Sequence, residues 1–496
     1  MFKALKKAFC KAGDFFDRLS GGRLPQFFSG RLYPVLVLAL AFIGHITGLE
    51  VFFAAIILLS ASLAFMITST SKPFITVATV FVFQVSIEHT PGVPTMSDYY
   101  FTSWRLVAVI AVLSVFIISL LVFFVRQRLW ERVNAKSTPI YVLAALSIAF
   151  ILNGALSAEW TLGTLVFGII TAIAYTLTFL LFFLGMRGER VDELVDYFAF
   201  ISAGVSVLLM AELGWLFLTG DGVILNGEIV KEAMLFGWGV WNSMGAALVM
   251  LIPTLFVGVY RSKRWYIYLA LASLDLACVF LTQSRGALLF GALVYVASVG
   301  ILAFFGKRRL IFRIALGVML LCGVALVILL WDRLPSLISA FLYDNGRFAL
   351  WQVGIENFLT SPLFGVGFLG FKFPDDPVYF AGVDFMPPMA HNTVFELLSS
   401  VGIVGVGAYI AYRISTVRAA IRTRSVEGWL IFLSAISVAL MSLLDNYLFQ
   451  FWPVLYYSAA MAVVYLMGEN KEESISASEL GSQDTQKPTE NTNIDN

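Results

Sequence analysis

Charge is the scarcest property of this sequence. Only 13% of its 496 residues are charged, while 59% are hydrophobic. That ratio excludes a soluble globular chain, which needs far more charged surface. Cysteine is nearly missing as well. Cys10, Cys278 and Cys322 are scattered, which argues against a disulfide framework or a thiolate metal centre. The three histidines, His45, His89 and His391, are too few for a histidine-rich metal site, so neither metal nor cofactor is expected. Strand-like alternation is lacking too, because the apolar runs are apolar all round, and this excludes a β-barrel. The formal net charge of +1 comes without a basic patch interleaved with aromatics, so nucleic acid is not an expected partner.

What is present is a series of apolar runs, most of them long enough for a helix to span a bilayer. Fourteen are counted, at 34–48, 50–68, 74–89, 105–125, 139–156, 161–186, 196–218, 235–260, 265–283, 286–305, 310–330, 391–412, 428–444 and 451–467. The first and third are short enough to be tilted or partly interfacial. The fold class is therefore all-α, a polytopic membrane protein of about 14 transmembrane helices. One long loop, about 331–390, caps the outer face.

Orientation follows from lysine and arginine placement. Residues 1–33 carry Lys3, Lys6, Lys7, Lys11, Arg18, Arg23 and Arg31 among phenylalanines. They read as a basic amphipathic segment on the cytoplasmic membrane surface, not as a cleaved leader. Alternate loops then hold Arg126, Arg128, Arg132 and Lys136; Arg187 and Arg190; Arg261, Lys263 and Arg264; Lys307 to Arg309; and Arg413, Arg418, Arg422 and Arg424. The intervening loops are poor in base. An even span count puts both termini in the cytoplasm, around a membrane domain at 34–467. Residues 468–496 are polar and are expected to form a disordered tail.

Against this background three outer residues stand out. Arg285, in T-Q-S-R-G-A-L-L from Thr282 to Leu289, lies where the charge rule disfavours arginine. It is either a snorkelling boundary residue or an anion clamp, since a guanidinium matches phosphate oxygens with a planar fork. Ser284 flanks it, and Gly286 leaves room for a ligand or a neighbouring helix to approach. Arg347 starts a segment in which Phe348, Trp351, Ile355, Phe358 and Leu359 recur at helical spacing. That segment predicts a short amphipathic helix over 347–359 on the membrane surface, with Trp351 at headgroup level. It is either a plain interfacial helix or the carrier of a second phosphate-binding base.

His391, after Pro387–Pro388 and before Asn392, opens the twelfth run. A boundary histidine commonly bonds a loop carbonyl. Beside two arginines it is also placed to act as a base, because a neutral imidazole can take a proton from an attacking hydroxyl. Asn242 and Trp241 are candidates to line the same cavity, with Asp445, Asn446 and Gln450 closing it. Glu212, Asp275 and Glu396 are costly in hydrocarbon and should face a partner or cavity. Glu396 points well away from the His391 face of a helix and reads as structural. His45 and His89 read as ordinary interface residues.

These motifs together resemble the O-antigen ligase and polymerase family of bacterial inner-membrane glycan transferases. His391–Asn392, nine residues, Gly402, two residues and Gly405 are in register with one family motif, and Arg285 with Leu289 fits R-x-x-x-L. The run from Arg347 through Trp351, Pro362, Gly365 and Gly367 is similar to the family's loop signature. W-N-S-M-G from Trp241 to Gly245 is similar to a further asparagine-containing stretch. The resemblance spans roughly 235–467.

It implies transfer of a glycan from an undecaprenyl-diphosphate carrier to an acceptor hydroxyl at the periplasmic face of the inner membrane, with inversion and without metal. Arg285, Arg347 and His391 are then catalytic. Asn392, Asn242, Trp351, Ser284 and Gly286 are then substrate-binding. The acceptor would be a glycan, lipid A–core or a protein. One large outer loop favours the ligase branch over an O-antigen or exopolysaccharide polymerase. A flippase or transporter for the same lipid is the rival from another class. A transporter would show repeated halves and midplane sites, and the chain displays no such self-similarity; a flippase stays open, since it too needs arginine in a cavity but does not need His391 for chemistry.

Overall fold

The computed structural model describes residues 15, 18, 22–81, 103–133, 139–220, 223–225, 227–236, 239–336, 339, 346–368, 379–380, 383–384, 390–445, 447 and 451–484. The first seven helices are α1 (Arg23–Ser29), α2 (Leu32–Thr47), α3 (Glu50–Ile67), α4 (Lys72–Phe81), α5 (Ser103–Arg126), α6 (Ile140–Leu156) and α7 (Leu162–Met186). Helix α8 (Val191–Thr219) leads into two small antiparallel ladders, β1 (Ile224–Leu225) with β2 (Glu228–Ile229) and β3 (Leu235–Phe236) with β4 (Gly239–Val240). Then follow α9 (Trp241–Arg261), α10 (Trp265–Leu281), α11 (Arg285–Phe305) and α12 (Arg309–Leu329). After α13 (Arg347–Thr360) comes the pair β5 (Tyr379–Phe380) and β6 (Val383–Asp384). The chain ends with α14 (Thr393–Thr423), α15 (Val426–Met441) and α16 (Phe451–Asp484).

The protein is an all-α polytopic membrane protein, and every apolar run coincides with a helix, although α4 is described only as far as Phe81. Eight described helices are long and apolar enough to cross a membrane, or nine if α1 and α2, bent by 65°, form one span. Helices α6, α10 and α15 are apolar but shorter. The eighth run differs from expectation at its start. Residues 235–236 and 239–240 pair as a hairpin, and the helix begins only at Trp241. The glycines at 237 and 239 favour a turn over continued helix. The expected tail also differs, because α16 runs on through Asp484. A helix already nucleated in the bundle extends at one hydrogen bond per residue, and its glutamates, Ala477 and Leu480 are compatible with that. His89, Asn446, Gln450, Pro387 and Pro388 lie outside the described residues.

Helix α9 is the hub. It packs against α8, α10, α11 and α15, and 89% of its spanning window is buried in protein. Small residues such as Gly245, Ala246, Ala247 and Gly258 let neighbours approach its backbone, as membrane helix packing requires. A β-carbon on Gly258 would meet the Tyr268 ring at 2.1 Å.

Helix α14 is broken at Gly402, whose φ of 57° and ψ of −166° lie outside the helical region. The chain leaving α13 fills the gap. Ile403 and Val404 N–H donate to the carbonyls of Pro362 and Leu363 at 2.9 and 3.2 Å. Val366 and Gly367 N–H donate to those of Ser399 and Ser400 at 2.8 and 3.0 Å. Without this exchange the break would leave backbone groups unsatisfied in an apolar setting. A β-carbon on Gly402 would lie 2.6 Å from the Leu363 backbone, so only glycine fits. Asn153 of α6 clamps the junction by donating its amide N–H to the carbonyls of Phe364 and Ser400.

Candidate functional site

One end of α9 carries charge that is internally matched. Arg261, its last residue, meets Asp196 at 2.5 Å, Asp192 at 3.1 Å and Glu427 at 3.2 Å. Lys307 sits over the Tyr260 ring and Arg308 donates to the Val259 carbonyl, so base-rich connections gather there.

At the other end of α9 several helices begin. Arg285 is the first residue of α11, and Arg347 is the first of α13. A cation at that position opposes the helix macrodipole, and the first turns of α9, α11 and α13 contain no acidic residue. Helix starts of this kind favour an anion, and here they carry guanidinium groups as well. Arg285 and Arg347 line one cavity together with Asn242, Ser284 and Gly286. The cavity encloses about 660 Å³ of space, including its open mouth. Its wall is completed by Lys231, Trp241, Gln283, Met441, Leu444, Asp445 and Tyr447. Gly286 serves close packing: a β-carbon there would lie 2.4 Å from Leu444.

His391 is not among the lining residues. Its Nδ1 lies 3.1 Å from Oδ1 of Asp445, which does line the cavity. A carboxylate only accepts, so Nδ1 carries the proton and Nε2 is left as the basic nitrogen. The backbone around this pair is held from both sides. Asn392 caps α14 by accepting from the N–H groups of Val394 and Phe395, and its amide donates to the Leu443 carbonyl at 2.8 Å. Thr393 N–H donates to Ser442 at 2.9 Å. Glu396 accepts from Ala390 N–H at 2.8 Å and from the Ser400 hydroxyl at 2.9 Å. His391 itself takes φ of 49°, and Gln283, two residues before Arg285, takes 51°. Non-glycine residues in this left-handed region carry strain that commonly marks a working site.

Two sequence expectations change. Asn392 is buried and its amide is engaged in joining α14 to the 442–445 turn, so it positions His391 and Asp445. Trp351 does not line the cavity. Its ring stacks on Phe395 at 5.1 Å and 15°, and Phe348 meets it edge-on. Trp351 lies one turn beyond Arg347 and Phe395 one turn beyond His391. The stack therefore ties the starts of α13 and α14 together. Periodicity picked out a stripe of which Phe348, Ile355 and Leu359 stay exposed, whereas the side buried in protein is Leu350, Val353, Gly354 and Asn357.

Lys231, Gln283 and Tyr447 were missed. Lys231 carried the same signal as Arg285, a base in a base-poor outer loop. Burial first, and then the Asp445 carboxylate, hold the Tyr447 phenol well above its ordinary range, with Arg347 and a hydrogen bond to Ser243 acting the other way. Tyr447 is thus a neutral hydroxyl. No group of three or more histidine, cysteine, aspartate or glutamate side chains among the described residues could hold a metal ion.

Residues 269–410 match the family described as O-Antigen ligase. This region carries an O-Antigen ligase family domain. No curated protein matches the chain. The family region is narrower than the 235–467 suggested by motifs, but it contains Arg285, Arg347 and His391. Lys231, Asn242, Asp445 and Tyr447 reach the cavity from outside it. The match and the long apolar helices agree with a multi-pass membrane protein, and the family is one of O-antigen ligase-like glycan transfer in general.

Proposed function

We propose that the chain transfers a glycan from an undecaprenyl-diphosphate carrier to an acceptor hydroxyl at the periplasmic face of the bacterial inner membrane. The observation that carries this reading is the convergence of Arg285 and Arg347 on one cavity, with Asp445 joining that cavity to His391. The arginines hold the diphosphate of the donor. His391 Nε2 takes the proton of the acceptor hydroxyl as its oxygen attacks the anomeric carbon. The bond from that carbon to the diphosphate breaks, and its electron pair leaves with the phosphate oxygen. Attack opposite the leaving group inverts the anomeric configuration. Developing charge on the diphosphate is met by the two guanidinium groups, and charge on the imidazolium by Asp445. The helices around the cavity supply the apolar flank that a polyprenyl tail needs. Both termini face the cytoplasm in this reading.

The test is transfer in vitro by purified protein in detergent, with undecaprenyl-diphosphate glycan, a panel of acceptors and EDTA present. Transfer should persist under chelation. His391→Ala should lower its rate by about 10²–10⁴-fold, the usual contribution of a positioned base. A flippase would tolerate that substitution, and transfer at the normal rate would end the transferase reading. Loss of all transfer under EDTA would end its metal-free form.

A further inference from the structure

We propose that Lys231 is a third anion-holding cation of this cavity, and that it makes the site prefer a diphosphate to a single phosphate. The inference rests on the reading above, in which the cavity holds the donor's diphosphate. Lys231 lines the same cavity as Arg285 and Arg347, but it arrives from a different part of the chain. It begins the short 3-10 turn Lys231–Ala233 between the two ladders that precede α9.

That turn is built in. Val223, Met234 and Phe236 around it are buried, and Val230 N–H donates to the Val223 carbonyl at 2.9 Å. The Lys231 ammonium stands 6.0 Å from the ring centre of Trp241, the first residue of α9. Three basic side chains, Lys231, Arg285 and Arg347, line the cavity together with the Asp445 carboxylate.

The chemistry gives the third cation a distinct task. A diphosphate diester carries one negative charge on each phosphorus. When the glycosyl bond breaks, the freed oxygen adds charge at the end away from the lipid. Two planar guanidinium groups suit fixed, bidentate contacts. A compact ammonium on a flexible stem suits a charge that grows and shifts during departure. A lone phosphate is satisfied by the arginines and gains little from a further cation across the cavity.

Binding of inorganic pyrophosphate and of inorganic phosphate to the purified full-length protein, by calorimetry in detergent, tests this. Wild type should bind pyrophosphate more tightly. Lys231→Met should weaken pyrophosphate binding by about tenfold, the scale of one charge-assisted contact, and leave phosphate binding unchanged. Lys231→Arg should restore most of the loss. An unchanged thermal midpoint without anion confirms that each variant is folded, and Lys231→Gln replaces the methionine variant if that one misfolds. Should the neutral variants bind pyrophosphate as wild type does while Arg285→Ala loses it, Lys231 only steadies the hairpin on Trp241, and the cavity reading stands. Absence of pyrophosphate binding to wild type would overturn both.

Discussion

The two ends of α9 hold similar numbers of charges and put them to opposite uses. At the Arg261 end one guanidinium faces three carboxylates, Asp192, Asp196 and Glu427, within 3.2 Å. At the Trp241 end three cations line a cavity with one carboxylate, and that carboxylate is bonded to an imidazole. The first cluster is complete within the protein and joins α8, α9 and α15. The second is the one that, in the proposed reading, receives an anion from outside. Position at a membrane boundary is common to both, so position alone does not mark function. The local ratio of acid to base does.

The comparison is broken most severely at the imidazole–carboxylate pair. Asp445→Asn keeps the shape but removes the acceptor that fixes the tautomer of His391. The transfer rate should fall by about 10²–10⁴-fold, with the thermal midpoint little changed. Donor analogue binding should be retained, which separates this variant from loss of the anion site. Next in size, Arg285→Ala or Arg347→Ala should each cost on the order of 100-fold in kcat/KM, by analogy with loss of one oxyanion donor. Rates at several donor concentrations, with pyrophosphate as competitor, would check this. Retention of full activity by either variant would remove that arginine from the site.

The smallest effect belongs at the opposite end. Glu427→Gln should lower stability by about 1 kcal/mol or less, because the Arg261 cluster is partly solvated, and should leave transfer unchanged. Thermal unfolding in detergent, paired with the transfer assay, measures both. A large loss of transfer there would erase the distinction between the two ends.

Much of this was legible in the sequence for simple reasons. Long apolar runs can only be helices in lipid, so the helices were found with shifts mainly at their ends. Arg285 and His391 were legible because charge is rare at the ends of long apolar runs. The Asp445–His391 bond was not, since 54 residues separate the pair and no periodicity links them. Asp445 had been placed near the cavity, but not on the imidazole. Lys231 stood out only as a base in a loop expected to be poor in base, and the folded hairpin is what brings it to Trp241. Hydropathy was equally blind to depth within the bundle. Helix α12 is more apolar than α9, yet only 6% of its window is buried in protein. Lipid solvates an apolar helix as well as protein does, so the helix that packs most closely is the one rich in small residues.

The interrupted α14 has a mechanical corollary. Because the segment leaving α13 is laced into the gap at Gly402, Arg347 and His391 hang from a single stiff bracket, braced again by Trp351 on Phe395. In the proposed reading, widening for a bulky saccharide is expected at the facing wall, where two-residue ladders carry the Lys231 turn.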